Sequence, residues 1–153
     1  VKKLKKYGYE STIENMVKYI NDIAGIRVIC SFTSDIYEIA DMIREQSDIR
    51  IIGVKDYIVS PKASGYRSYH MLVTVPVYLS DRIVDTKVEI QIRTVAMDFW
   101  ASLEHKIHYK FEGNAPEHIK DELVECAQMV SELDARMLAL NDEIQHIGQQ
   151  QLA

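Results

Sequence analysis

The stretch Val88-Glu89-Ile90-Gln91-Ile92-Arg93 alternates apolar residues at 88, 90 and 92 with polar ones at 89, 91 and 93. A period of two places the two sets on opposite faces of a β-strand. One face is aliphatic and suits only a core. The other lines up a carboxylate, an amide and a guanidinium about 7 Å apart, two residue rises at a time. These groups bind metals, read hydrogen-bonding edges and pair with phosphates, here on a rigid scaffold. Alternation alone also fits an ordinary strand with one solvated face, so the flanking sequence has to supply matching parts.

Upstream, Met71 to Pro76 reads as a strand, preceded by the loop Ser60-Pro61-Lys62-Ala63-Ser64-Gly65-Tyr66-Arg67-Ser68-Tyr69-His70. This loop mixes turn formers with cations and aromatic rings. Such a mixture suits a planar base carrying phosphates, because rings stack and cations neutralise; a solvated loop with surface tyrosines is the plainer alternative. Residues 49 to 59 read as another strand with a bulge expected at Gly53. Ser34 or Asp35 caps a helix to about Gln46, with Ile36, Ile39, Ala40 and Ile43 on one face. The β-branched run Ile26 to Cys30 is a further strand, introduced by Asp22 and Gly25. Asp22 reads either as a helix or turn terminator or as a metal ligand. Arg27 is a charge inside an otherwise apolar strand and needs a partner there. Ser11 or Thr12 opens a helix to Ile20, and the chain starts in a lysine cluster at Lys2, Lys3, Lys5 and Lys6.

Downstream, a helix is expected from Val95 to Tyr109, with Trp100 and Leu103 as its core residues. Pro116 then opens a long helix to about Ile147. Its narrow stripe of Ile119, Leu123, Ala127, Val130, Leu133, Met137, Leu140 and Ile144 argues for packing across the body or against another subunit. Its glutamine-rich end, residues 149 to 151, is expected to fray. The order predicts an α+β fold with a mixed sheet of four to five strands, helices mainly on one face and a long C-terminal helix. We divide the chain into a catalytic core over 1–110 and a helical packing segment over 111–153 of the same domain.

The 153 residues suffice for one domain with a sizeable core. No run of about 18 apolar residues and no signal-like start occurs, which predicts a soluble, cytoplasmic protein with no membrane partner. Cys30 and Cys126 are too isolated for a disulfide framework, and no pair of histidines has structural-zinc spacing. The net charge of −5 hides an asymmetry. Residues 1–110 carry 16 basic and 14 acidic groups, whereas residues 111–153 carry 2 and 9. An anionic ligand therefore belongs to the first part. The start at Val1, directly in a basic cluster, predicts that the true N-terminus lies further upstream. There is no Rossmann glycine fingerprint and no P-loop.

Asp22-Ile-Ala-Gly-Ile-Arg27, Lys55-Asp56-Tyr57-Ile58, Pro61-Lys62, Gly65-Tyr66-Arg67-Ser68-Tyr69-His70, Glu89-Ile-Gln91-Ile-Arg93-Thr94 and Glu104-His105-Lys106 follow one another in the order and spacing of the RelA/SpoT synthetase family. The run from Ala96 to Lys106 most resembles its small alarmone synthetases. The resemblance implies a nucleotidyltransferase-like core and a GTP pyrophosphokinase of the stringent response, moving the β,γ-pyrophosphate of ATP to the 3′-hydroxyl of GDP or GTP. It implies that Asp22 and Glu89 hold Mg²⁺ and that Glu89 is the base. It further implies Arg27, Lys3 and Lys6 against ATP, Tyr66 stacked on guanine, and Lys55, Lys62 and His70 on the acceptor's phosphates. Gln91 and Arg93 would orient groups from the same face, and Asp98 stands where the family often bears Asn or His beside guanine. The small members resemble one another in forming homotetramers, and an allosteric nucleotide or an RNA is a further candidate partner. No His-Asp dipeptide occurs, so synthesis without hydrolysis is expected.

Three other readings compete. A guanine-nucleotide sensor would keep the pocket but would not need both Asp22 and Glu89. A single-stranded RNA binder would use Tyr66, Arg67, Tyr69 and His70 as a stacking platform, with steep salt dependence. An oligomerisation unit centred on 116–147 would leave the polar face of 88–93 without a purpose.

Overall fold

The structure is a computed structural model that describes residues 24–152. The helix expected before Ile20, together with Asp22, Lys3 and Lys6, lies outside the described residues. Four strands form one sheet: β1 (Ala24–Cys30), β2 (Arg50–Asp56), β3 (Tyr69–Tyr78) and β4 (Ile83–Thr94), in the order β1-β4-β3-β2. β4 runs parallel to β1 and antiparallel to β3, and β2 is antiparallel to β3. Three helices complete the described chain: α1 (Thr33–Arg44), α2 (Val95–Lys110) and α3 (Glu117–Leu152).

The core follows from the period-two pattern. Val88, Ile90 and Ile92 of β4 and Tyr69, Met71 and Val73 of β3 are buried together. Ile36 and Ala40 of α1 and Met97 of α2 close over them. A smaller cluster of Trp100, Ala101 and Ala127 joins α2 to α3. The register sets the opposite face. Arg27, Gln91, His70 and Lys55 lie in one row across all four strands, and Gly25, Glu89, Leu72 and Gly53 form the next.

Several boundaries differ from the sequence reading. β2 stops at Asp56 instead of continuing to Val59, because the Asp56 carboxylate accepts from the N–H groups of Ile58 and Val59 at 2.9 and 3.1 Å and turns the chain. Tyr69 and His70 belong to β3 and not to the preceding loop, being paired with Ile92 and Gln91. The expected bulge is present, with a register shift between Ile51 and Gly53. α1 begins after Phe32. Asp35 is therefore not its cap but lies in the first turn and reaches back to accept from the Phe32 N–H at 3.0 Å. Leu103 is 41% exposed and is not core, since α2 turns Trp100 and Ala101 toward α3. The stripe on α3 is covered only as far as Val130. Beyond it Leu133, Met137, Leu140 and Ile144 are exposed, and the helix continues through the glutamines to Leu152.

Candidate active site

Above the polar face of the sheet lies an open cavity of about 790 Å³, within the usual size range of roughly 300–1,000 Å³ for small-ligand pockets. Glu89, Gln91, His70 and Lys55 supply its strand-borne polar lining, while Tyr57, Lys62, Ser64 and Tyr66 come from the β2–β3 connection. Glu89 therefore sits on the cavity floor. Its row ends in glycine on both edge strands, and among the described residues a Cβ at Gly25 or Gly53 would meet nothing within 4 Å. Gly53 also lines the cavity.

The β2–β3 connection is held from two sides. Tyr57 N–H donates to the Ser68 carbonyl at 2.9 Å, closing the connection at its base. Arg67 turns away from the cavity and donates to the Ala127 carbonyl of α3 at 2.6 Å. Gly65 has φ of +97°, and a Cβ there would meet Ala127 Cβ at 2.6 Å, so only glycine fits between loop and helix. Lys62 Nζ lies 5.0 and 4.9 Å from the ring centroids of Tyr57 and Tyr66. These rings meet each other and the His70 imidazole edge to face.

Arg93 organises the site from beneath. It is buried, and its guanidinium donates through Nε to Ser68 Oγ at 3.3 Å and through Nη1 to Asp98 at 3.1 Å. Nη2 donates to Tyr66 Oη at 2.6 Å and to Gln91 Oε1 at 2.9 Å. Tyr66 Oη and His70 Nε2 are 2.8 Å apart, and His70 Nδ1 lies 3.4 Å from Glu89 Oε1. Gln91 Nε2 donates to the same Glu89 oxygen at 3.4 Å. Burial pushes the His70 imidazole below its usual value; Glu89 pulls it back, and Arg93, Lys62 and Lys55 push it down further.

A second cavity of about 320 Å³ adjoins the first. Arg27, Arg93, His105 and Lys106 line it, and Tyr66 and Glu104 border both cavities. The parallel pairing of β1 with β4 brings the exposed Arg27 guanidinium to 3.5 Å from Asp98 Oδ1, the same oxygen that Arg93 engages. Asp98 is thus shared between two guanidiniums.

Of the residues singled out from sequence, Glu89, Gln91, His70, Lys55, Lys62 and Tyr66 converge on the larger cavity, and Arg27 and Arg93 on the smaller. Asp98 packs beneath them in the first turn of α2. Tyr69 points into the core and Arg67 onto α3, which removes two of the four members of a nucleic-acid stacking platform. Tyr57, Ser64 and Ser68 were not singled out. The signal for Tyr57 was Asp56 before it, a turn-former that ends β2 and projects the ring over Lys62.

The sequence profile described as the region found in RelA / SpoT proteins matches residues 1–114. The chain is 50% identical over 144 residues to GTP pyrophosphokinase YwaC of Bacillus subtilis, covering 94% of this chain and 69% of that protein. It is 40% identical over 129 residues to GTP pyrophosphokinase YjbM of the same organism, covering 84% and 61%. Among solved structures, small alarmone synthetase 2 of B. subtilis superposes with a TM-score of 0.82 at 48% identity, over 93% of this chain and 73% of that one. Small alarmone synthetase 1 of B. subtilis, bound to its product pppGpp, superposes with a TM-score of 0.80 at 37% identity, over 94% and 73%. The mixed sheet, the paired cavities and these similarities agree, and the chain belongs to the RelA/SpoT family.

Proposed function

We propose that this chain transfers the β,γ-pyrophosphate of ATP to the 3′-hydroxyl of GDP or GTP, giving ppGpp or pppGpp and AMP, and that it does not hydrolyse them. The observation that carries the reading is Glu89. It is a carboxylate on an open cavity floor, with Lys55, Lys62, Tyr57 and Tyr66 around it and a second cationic cavity next door. The relatives named GTP pyrophosphokinases, and the small alarmone synthetases that share the fold, support it.

The larger cavity suits the acceptor. A Tyr66 ring fixed by Arg93 offers a face for the base, and Lys55 and Lys62 offer charge for the phosphates. The smaller cavity suits the donor, with Arg27 as a planar cation for adenine and Lys106 for phosphate. Phosphoryl chemistry of this type is carried by positioning and charge stabilisation. Glu89 takes the proton of the attacking hydroxyl, which requires hydrogen-bond reach and an ionised carboxylate.

Among the described residues no three His, Cys, Asp or Glu side chains converge. One carboxylate facing a phosphate-binding cavity nevertheless fits Mg²⁺, which takes one or two carboxylates and fills its shell with water and substrate phosphates. Glu89, with Asp22, would hold it. When bound, the ion offsets charge on the transferred group.

No helix among the described residues is long and apolar enough to cross a membrane. A cytoplasmic homotetramer is part of the proposal, and the exposed far half of the α3 stripe supports it. The test is incubation with γ-labelled ATP, Mg²⁺ and GDP or GTP. Label should appear on the guanosine nucleotide together with AMP, and should vanish in Glu89→Gln. Guanine-nucleotide binding without any transfer would leave a sensor.

A further inference from the structure

Among the described residues, Tyr66 and Glu104 are the two that border both the larger and the smaller cavity. The packing of α2 explains why they stand together. Trp100 is buried and donates through Nε1 to the Leu123 carbonyl of α3 at 2.8 Å, which fixes the rotation of α2. Gly65 lies over the same indole, so close that a Cβ there would be 3.4 Å from Trp100 Cζ2. Glu104 follows Trp100 by four residues and shares its side of the helix. The turn of α2 beyond the indole thus brings a carboxylate to Tyr66, the residue after Gly65.

Glu104 is partly buried and makes no hydrogen bond or ion pair among the described residues. Its neighbours are committed elsewhere. Gln91 Oε1 and Tyr66 Oη accept from Arg93 at 2.9 and 2.6 Å, and Ser64 Oγ accepts from the Tyr66 N–H at 3.4 Å. Asp98 Oδ1 lies between Arg93 and Arg27, and Asp98 lines neither cavity. A carboxylate accepts hydrogen bonds and donates none. Guanine presents two adjacent donors, N1–H and the 2-amino group, whereas adenine presents a bare N1 lone pair beside a C–H.

We propose that Glu104 selects the acceptor base, its two carboxylate oxygens accepting from N1–H and the 2-amino group of a guanine stacked on Tyr66. The assignment deepens the proposed transfer and rests on Tyr66 carrying the acceptor's base. Selection is needed because the donor is also a purine nucleotide and its cavity adjoins. Stacking on a tyrosine and charge from Lys55 and Lys62 treat two purine nucleotides alike. A carboxylate does not, since the adenine N1 lone pair would face a negative charge.

The experiment is calorimetric titration of the full chain with GDP and with inosine diphosphate, which is GDP without the 2-amino group. The wild type should bind GDP about 10- to 100-fold more tightly, the worth of one hydrogen bond to a charged group. In Glu104→Ala, GDP should weaken at least about tenfold and its advantage over inosine diphosphate should fall below about threefold. Glu104→Gln, which keeps one acceptor oxygen, should lie between. In the transfer assay the loss should fall on kcat/KM for GDP, with the KM for ATP changed less than about twofold. Equal binding of the two nucleotides by the wild type overturns the assignment without any variant. So does a Glu104→Ala chain that keeps the wild-type preference, or one whose loss falls on the KM for ATP. If the preference is found and lost as expected but no pyrophosphate is transferred, the proposed function fails while the role of Glu104 stands.

Discussion

Gly65 is where the cavity-lining β2–β3 connection touches the long helix, and Gly65→Ala should be among the most costly single-methyl additions in the chain. Two terms add. The backbone at φ of +97° excludes a Cβ, at about 1–2 kcal/mol. The new methyl would also stand 2.6 Å from Ala127 Cβ and 3.4 Å from Trp100 Cζ2 in a packed cluster, and overpacking of this kind costs about 1–3 kcal/mol. We expect a loss of about 3 kcal/mol in all. The steric part can be returned by Ala127→Gly, which alone costs about 1 kcal/mol in helix propensity plus about 0.8 kcal/mol for the lost methyl. Because the backbone part is not returned, the double variant should remain less stable than the wild type. It should, however, be more stable than the sum of the single losses by about 1–3 kcal/mol. Urea titration followed by far-UV circular dichroism and by fluorescence of Trp100, the only tryptophan, measures each corner of the cycle. A Gly65→Ala variant within about 0.5 kcal/mol of wild type, or strict additivity in the cycle, would refute the reasoning.

Three further outcomes follow from contacts outside that cluster. Thr94 Oγ1 accepts from the Met97 N–H at 3.2 Å and donates to the buried Asp134 carboxylate at 2.8 Å, so Thr94→Val should destabilise by about 2 kcal/mol in urea, from a lost cap and an orphaned acceptor. Burial raises the Asp134 carboxyl above its usual value, against the Thr94 hydrogen bond and the Arg67 charge. A raised folded-state value means stability that is present at low pH and lost as pH rises through that value. The urea midpoint of Asp134→Asn, relative to wild type, should therefore increase between about pH 4 and pH 7, and a flat difference would contradict this. Arg93→Lys cannot reproduce donation to Ser68, Asp98, Tyr66 and Gln91 at once; it should cost about 2–3 kcal/mol and lower kcat at least about tenfold, whereas equal activity would show that a point charge suffices.

The division of β4 into two faces was legible in residues 88 to 93 because strand geometry is local: every second side chain shares a face whatever the strand pairs with. The same reasoning located α1 from Ile36, Ile39, Ala40 and Ile43. Asp56 was harder, since its effect depends on which backbone N–H groups the chain brings to its carboxylate. Leu103 was misread for a related reason. Helical spacing defines a face but not which face a neighbour covers, and Trp100 and Ala101 won that place against α3.

Sequence by itself determined the α+β order of elements, the polar row Glu89, Gln91 and Arg93, and the kinds of groups brought to the site, because these depend on residue type and short-range spacing. Only the tertiary structure decided that Arg93 is buried beneath the larger cavity instead of lining its floor, that Arg27 shares Asp98 with it, and that His70 stands between Tyr66 and Glu89. It also decided that Gly65 and Arg67 dock on Ala127 and that the α3 stripe is covered only to Val130. The physical reason is the same in each case. Partner choice depends on register and crossover between distant segments, such as the parallel pairing of β1 with β4, and neither leaves a periodic mark on the sequence.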